Sequence, residues 1–384
     1  MKPLANNPLE IPWDDHQFTT IPFFALLKME YIQEGWKEDK HTELLEIKDK
    51  ITAYYEVSME GWELRKKITN PYEAIYSTSE DTLFPSLAKV VPLSRSFFKM
   101  VEMLEFSNIL PEWKGKQIVS AHICEGPGGF IQAFIEKGKE YGIKIHQCNA
   151  MTLRPNKYHI PGWRRSAQFL KANQCVKLEY GADSTGNVLE PANQNYFIKK
   201  SSPVQFFTAD GGFDFSVNYS KQEEDVFPLL LASFVIGLNC LEKNGLMIIK
   251  FFDWYSALTQ DLILGSGACF KEFTVYKPAT SRPCNAERYF IGKGYLGKGH
   301  TQKWISHLEK SQAIFPFTRL FQEEWPLPIK QLVKEQIQWQ EKKQIQNIKE
   351  TLNLPLSKDK LQEYILRNIE TSKIWCKRFG VSTF

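Results

Sequence analysis

The sequence holds few cysteines for its length and none in pairs. There are seven, at positions 124, 148, 175, 240, 269, 284 and 376, and no C-x-x-C spacing. An odd, scattered set of thiols excludes a disulfide framework and a zinc site, and implies an intracellular, reducing compartment, with nucleus and cytoplasm both open. No other cluster with metal-ligand spacing stands out, so no metal is expected. Long apolar runs are missing as well. The longest, 227–241, is interrupted by Pro228, Ser233, Gly237 and Asn239. It is too short to span a bilayer and reads as a buried helix, so no membrane partner is expected. No signal-peptide pattern, internal repeat or low-complexity tract is visible. Nor does one sign of charge dominate. Lys and Arg number 48 against 44 Asp and Glu, a net +4, which permits a local nucleic-acid surface without making the whole chain basic.

What remains is rich in core-forming residues. Hydrophobic residues make up 43% of the chain and aromatics 14%, which argues for a well-filled globular core rather than disorder. At 384 residues the chain suffices for one large domain with additions, or for two.

The centre of the pattern is 118–130. Residues 118–123 are apolar or β-branched and predict a short buried strand, 124–129 turn the chain, and a helix starts at Phe130 with Ile131, Phe134 and Ile135 on one side. Strand, glycine-rich turn and helix N-terminus make a cradle at the carboxyl edge of a sheet, where glycines let a ligand approach the backbone. A ligand-free βα turn is the plain alternative. The spacing fits neither G-x-G-x-x-G nor G-x-x-x-x-G-K-[ST]. An acid followed by Gly-Pro-Gly-Gly-aromatic instead resembles the methyl-donor turn of FtsJ-type RNA ribose 2′-O-methyltransferases. That resemblance implies an α/β, Rossmann-like core using S-adenosylmethionine, held by Cys124, Glu125, Gly126, Pro127, Gly128, Gly129 and Phe130.

The rest of the chain extends on either side of that turn. Residues 1–90 form an aromatic-rich, helical extension, with Trp13, Phe18, Phe23, Phe24, Tyr31, Trp36, Tyr54, Tyr55, Trp62, Tyr72 and Tyr76; helical spacing around 42–65 breaks at Asn70-Pro71. These aromatics either pack against the core or stack on bases or a methylated cap guanine. A methyltransferase domain is placed at 91–298 and a helical C-terminal extension at 299–384. Within the domain, 92–104 predicts a helix carrying Arg95 and Lys99, and 143–151 a second strand. Residues 153–200 read as a long polar insertion, with Trp163 between Arg154, Lys157, Arg164, Arg165, Lys199 and Lys200. Further strands are expected at 204–208, 246–252, 272–276 and 289–292, and helices at 226–241 and 257–270. Lys250 interrupts an otherwise apolar strand; a snorkelling lysine and a working one are both open there.

Family likeness sharpens these positions. The helix at 92–104 resembles the Ser-Arg-x-x-aromatic-Lys helix ahead of the donor turn in the FtsJ group. Gly186-Asn187-Val188 resembles the stretch that meets the donor's adenine, with Asn187 where an Asp is expected and Asp183 as its rival. Lys-Pro-x-Thr-Ser-Arg-Pro-x-Asn-x-Glu-Arg-Tyr at 277–289 resembles the corresponding segment of eukaryotic and viral messenger-RNA cap 2′-O-methyltransferases. Over 92–295, Lys99, Asp210, Lys250 and Glu287 stand in the order of that group's Lys-Asp-Lys-Glu tetrad. The resemblance therefore implies these four as catalytic, Asn187, Val188 and Asp210 as further donor contacts, and Arg95, Arg282 and Asn285 as RNA contacts. Its substrate would be RNA, with capped messenger RNA the first reading; ribosomal or transfer RNA, or an inactive RNA-binding subunit of the same fold, are the alternatives. Burial and Lys99 are expected to lower the proton affinity of Lys250 and Asp210 to raise it, a balance the sequence leaves open.

Overall fold

The computed structural model describes residues 19–20, 41–78, 81–155, 162–212, 222–321, 324–355 and 357–384. A seven-stranded sheet organises them, formed by β1 (Gln117–Ile123), β2 (Lys144–Met151), β3 (Val176–Glu179), β4 (Val204–Ala209), β5 (Leu241–Phe252), β6 (Phe270–Tyr276) and β7 (Glu287–Tyr295). The order is β3-β2-β1-β4-β5-β7-β6. The first five are parallel, and β7 runs antiparallel to both β5 and β6. The order reverses between β1 and β4, so their carboxyl ends open a crevice there, as in other Rossmann-like folds.

Period-two alternation divides the core in two. Phe207, Met247, Ile249 and Phe251 face one apolar cluster with α8 (Gln222–Cys240), α9 (Ala257–Gly267) and α10 (Lys298–Ile314). Phe206, Leu246, Ile248, Tyr289 and Ile291 face the other, with α3 (Ser96–Ser107) and α5 (Gly129–Glu140). Continuing that parity past the apolar residues places Asp210, Lys250 and Glu287 on the α3 side. Lys99 lies on α3 itself. A polar set is thus gathered where the apolar alternation stops.

Several expectations change in detail. The insertion expected at 153–200 contains the edge strand β3, α6 (Ala167–Ala172) and α7 (Pro191–Ser201). A four-residue strand alternating Val176 and Leu178 with Lys177 and Glu179 is too short for period two to show against a polar background. Strand β5 begins at Leu241 rather than 246, with a register shift against β4 between Val204 and Phe206. The helical stretch at 42–65 is two helices, α1 (Thr42–Val57) and α2 (Met59–Thr69), divided at Ser58, whose hydroxyl accepts from the Gly61 amide.

The helices near the two ends touch. Helix α11 (Leu327–Leu352) packs on α1, and α12 (Lys358–Arg378) packs on α2 and the 3₁₀ turn Glu73–Ile75. Arg65 donates to the carbonyls of Thr351, Leu352 and Leu354 at and just beyond the end of α11. Of the N-terminal aromatics, Trp62 and Tyr72 are buried, while Tyr54, Tyr55 and Tyr76 are half-buried against the core. Trp13, Phe18, Phe23, Phe24, Tyr31 and Trp36 lie outside the described residues.

Candidate active site

The turn after β1 is held from below and from outside. Cys124 donates its amide to the Met151 carbonyl, and the Gly128 amide bonds the Glu125 carbonyl. Under the turn, Ser120, His122 and Thr208 form a buried hydrogen-bonded chain that ends on the Glu125 carboxyl. Burial pushes the Glu125 carboxyl up, with His122 opposing. Burial also drives the Cys124 thiol up to about 12, with Lys250 opposing.

The glycines of the turn are also required by the protein's own packing. A Cβ on Gly128 would stand 3.1 Å from the Trp163 ring and 3.5 Å from Leu93, with φ at +105°. One on Gly126 would stand 2.6 Å from the Gly162 carbonyl oxygen, and one on Gly129 would strike Ser94 and Ser96. Residues 162–166 therefore lie against the outside of the turn, and the Ser166 hydroxyl donates to the Pro127 carbonyl at 2.5 Å. Trp163, an aromatic among basic residues in the sequence, is buried against this turn.

Loop 180–188 completes the rim. Arg154 donates its amide to Thr185, and Gly186 sits where any Cβ would meet the Thr152 carbonyl. Val188 is buried, and the Asn187 side-chain oxygen accepts from the Leu189 amide. Asp183 accepts from Thr185 and Asn193, so both rivals for an adenine contact also shape their own loop.

The four tetrad residues converge as two linked pairs. Lys99 Nζ lies 2.7 and 2.9 Å from the two carboxylate oxygens of Glu287, 188 residues away in sequence. Lys250 Nζ lies 3.2 Å from Asp210 Oδ1. The Ser281 hydroxyl donates to Glu287 Oε1 at 2.7 Å, and Lys277 Nζ donates to the carbonyls of Asn285 at 2.6 Å and Glu287 at 3.2 Å. Two residues along β7 from Glu287, on the same face, the Tyr289 hydroxyl donates to Asp210 at 3.2 Å. Sequence reading gave Lys277, Ser281 and Tyr289 no role. A signal existed for Tyr289, since i and i+2 share a strand face.

Charge balance within the quartet is specific. Burial would push Glu287 up, but Lys99 and Lys250 overcome it and hold the carboxyl at about 2. Burial would lower Lys250, yet Asp210 and Glu287 win and raise it above the ordinary lysine value. The balance left open by the sequence therefore falls to the carboxylates, and Lys250 rests as an ammonium. Lys277 goes the other way: burial first, then Arg288 and Lys99, bring it down to about 7.

Depression of Glu287 is also a stability statement. Its ordinary value is 4.5 and its folded value about 2, so its contribution is complete above pH 4.5 and disappears as pH falls towards 2. The size is about 3 kcal/mol. In urea unfolding, Glu287→Gln is expected to be less stable than wild type at pH 6, with the gap closing between pH 4.5 and 2.5. A gap that stays constant over that range would reject the pairing.

The two arginines expected on RNA both pair with one carboxylate. Arg282 lies 3.0 Å and Arg95 3.5 Å from the buried Glu73 carboxylate, and Arg95 also donates to the carbonyls of Tyr72, Glu73 and Tyr76. They join the N-terminal helical region to loop 277–289. Asn285 is exposed.

The crevice at the strand ends leaves room for a small ligand beside the quartet. A Cβ on Gly212 would fill the space 3.2 Å from the Phe252 ring and 3.4 Å from Lys250 Nζ. Asp210 faces this opening from the end of β4. Among the described residues, Glu125 Oε2 and Trp163 Nε1 are buried without a hydrogen-bond partner. Gly212, with no side chain beside Lys250 and Asp210, leaves room there for a small group at the strand ends.

Residues 92–295 match the family described as FtsJ-like methyltransferase. The chain is similar to the cap-specific mRNA (nucleoside-2′-O-)-methyltransferase 1 of Trypanosoma cruzi, 27% identical over 72% of this chain and 78% of that protein. It is similar to proteins of the same name from Xenopus laevis, 31% identical over 68% of this chain and 31% of the relative, and from Homo sapiens, 27% over 74% and 35%. The chain thus spans about a third of the length of these vertebrate relatives.

Proposed function

This chain belongs to the FtsJ-like methyltransferase family, and from that premise we propose that it moves a methyl group from S-adenosylmethionine to a ribose 2′-hydroxyl of capped messenger RNA. The observation that carries the reading is the convergence of Lys99, Asp210, Lys250 and Glu287 beside the glycine turn. Residues 124–130, Asn187, Val188 and Asp210 hold the donor in this reading. When bound, the donor supplies an electrophilic methyl on a positively charged sulfur that leaves as a neutral thioether, a charge that disfavours the ammonium of Lys250.

The chain's own work is to place the hydroxyl and take its proton. A ribose hydroxyl is a very weak acid, so an in-line geometry and a base within reach are both required. Lys250 is that base. Asp210 aims its amine, and Glu287 keeps Lys99 in position as the second cation against the developing oxyanion. Because Asp210 and Glu287 hold Lys250 as an ammonium, it must deprotonate before each transfer, so the rate rises with pH through that step. Asn285 is the exposed polar group of loop 277–289 and faces RNA in this reading, while Arg95 and Arg282 brace the loop.

Similarity to cap-specific enzymes supports the substrate assignment. A short RNA carrying an N7-methylguanosine cap is expected to be methylated at least about tenfold more efficiently than its 5′-triphosphate counterpart, about 1.4 kcal/mol in transition-state binding. Mass mapping should place the methyl on the 2′-oxygen next to the cap, or on the following nucleotide. Equal rates, or methylation only within structured RNA, would favour a ribosomal or transfer RNA substrate.

A further inference from the structure

We propose that Tyr289 is a positioning residue of the transfer site, its hydroxyl fixing Asp210 in the orientation that pairs with Lys250. Tyr289 is fully buried, directly across from Lys250 in the β5–β7 register, so both side chains rise on one face of adjacent strands. Its hydroxyl donates to Asp210 Oδ1 at 3.2 Å, the same oxygen that lies 3.2 Å from Lys250 Nζ. The ring is fixed in turn, 5.8 Å from that of Phe130 at the start of α5. One tyrosine thus touches the donor helix, the orienting carboxylate and the strand of the base.

Sharing one oxygen has a chemical consequence. Burial, then Asp210 and Glu287, keep the phenol protonated, so it is a permanent donor. Each hydrogen bond to Oδ1 draws negative charge away from the lysine. The groups facing Lys250 are Asp210 from the end of β4, Glu287 and Tyr289 from β7, Cys124 from the β1 turn and Phe252 on its own strand; Lys99 from α3 is held by Glu287. Tyr289 is the member of this set whose hydroxyl donates to Asp210, and it weakens the hold of Asp210 on the ammonium without adding charge. It thereby sets the pH at which Lys250 gives up its proton.

This inference rests on the reading of the site as a methyl-transfer centre, and wild-type turnover on capped RNA tests that reading separately. The test is the pH dependence of kcat from pH 6 to 10 with S-adenosylmethionine and capped RNA, for wild type, Tyr289→Phe and 3-fluorotyrosine at 289. Tyr289→Phe leaves Asp210 wholly to Lys250, so its rising limb should move up by at least half a pH unit. On that limb its rate should fall about threefold or more. Fluorotyrosine is a stronger donor, and its limb should move down, raising the rate at the same pH. Donor affinity by calorimetry should stay within about twofold in both. A tyrosine that merely fills space predicts two losses, equal at every pH; that result, or two unmoved limbs, overturns the proposal. If Tyr289→Phe proves unfolded by circular dichroism, the direction of the fluorotyrosine limb decides alone.

Discussion

Lys250→Ala is expected to lower methyl transfer by about 10³- to 10⁴-fold while leaving donor affinity within a few-fold. The size follows from what a positioned general base contributes, about 10² to 10⁴, with loss of charge balance beside the reacting oxygen placing it in the upper part of that range. The separation follows from geometry. Lys250 lies on β5 against Asp210, whereas the donor turn is held by β1, β2, β4 and residues 162–166. Removing the amine leaves Asp210 with its Tyr289 hydrogen bond and leaves Glu287 with Lys99 and Ser281, so no remaining carboxylate loses every partner. Single-turnover assays on capped RNA, run beside calorimetry with S-adenosylhomocysteine, give both quantities. A variant that loses donor affinity along with turnover would show that Lys250 supports the cradle rather than the chemistry.

How much of this was legible in the sequence depends on whether a feature is local. The strand, glycine turn and helix at 118–130 are local, and apolar period and glycine placement sufficed to locate them. The four tetrad positions are spread from Lys99 to Glu287; no periodicity links them, and only the likeness of the loop at 277–289 and its companions to a family brought them together. Structure then explains the gathering physically: the α3-facing parity of β4, β5 and β7 runs out of apolar residues at Asp210, Lys250 and Glu287. Features that depend on distant docking were not legible. Glu73 takes up Arg95 and Arg282 because the N-terminal helical region packs onto loop 277–289, and nothing in either segment alone announces it. The net direction of the Lys250 shift, the result of opposed burial and pairing, was hidden for the same reason. Tyr289 carries no signal beyond its strand parity, because a tyrosine in a strand reads as core, which it also is.

Gly128→Val is expected to reduce donor affinity by at least about 100-fold, a loss of about 2.7 kcal/mol, for a reason found in the protein's own packing. Gly128 has φ +105°, a region where a β-branched residue is a genuine outlier. Its Cβ would enter 3.1 Å from Trp163 and 3.5 Å from Leu93, and the added methyl groups reach further into the same ring. Relief requires the turn to swing or Trp163 to leave, and either movement displaces the backbone that runs from Cys124 into α5. The variant should remain folded, because the strain is confined to one turn on a large sheet. Circular dichroism checks that before binding is measured. Pairing the substitution with Trp163→Ala separates the two possible origins of the loss. If the glycine serves the ring, the smaller residue restores part of the affinity to the double variant, although the φ strain persists. If it serves the ligand's approach, Trp163→Ala changes nothing in the valine background, and the contact between residues 162–166 and the donor turn is not what the glycine is for.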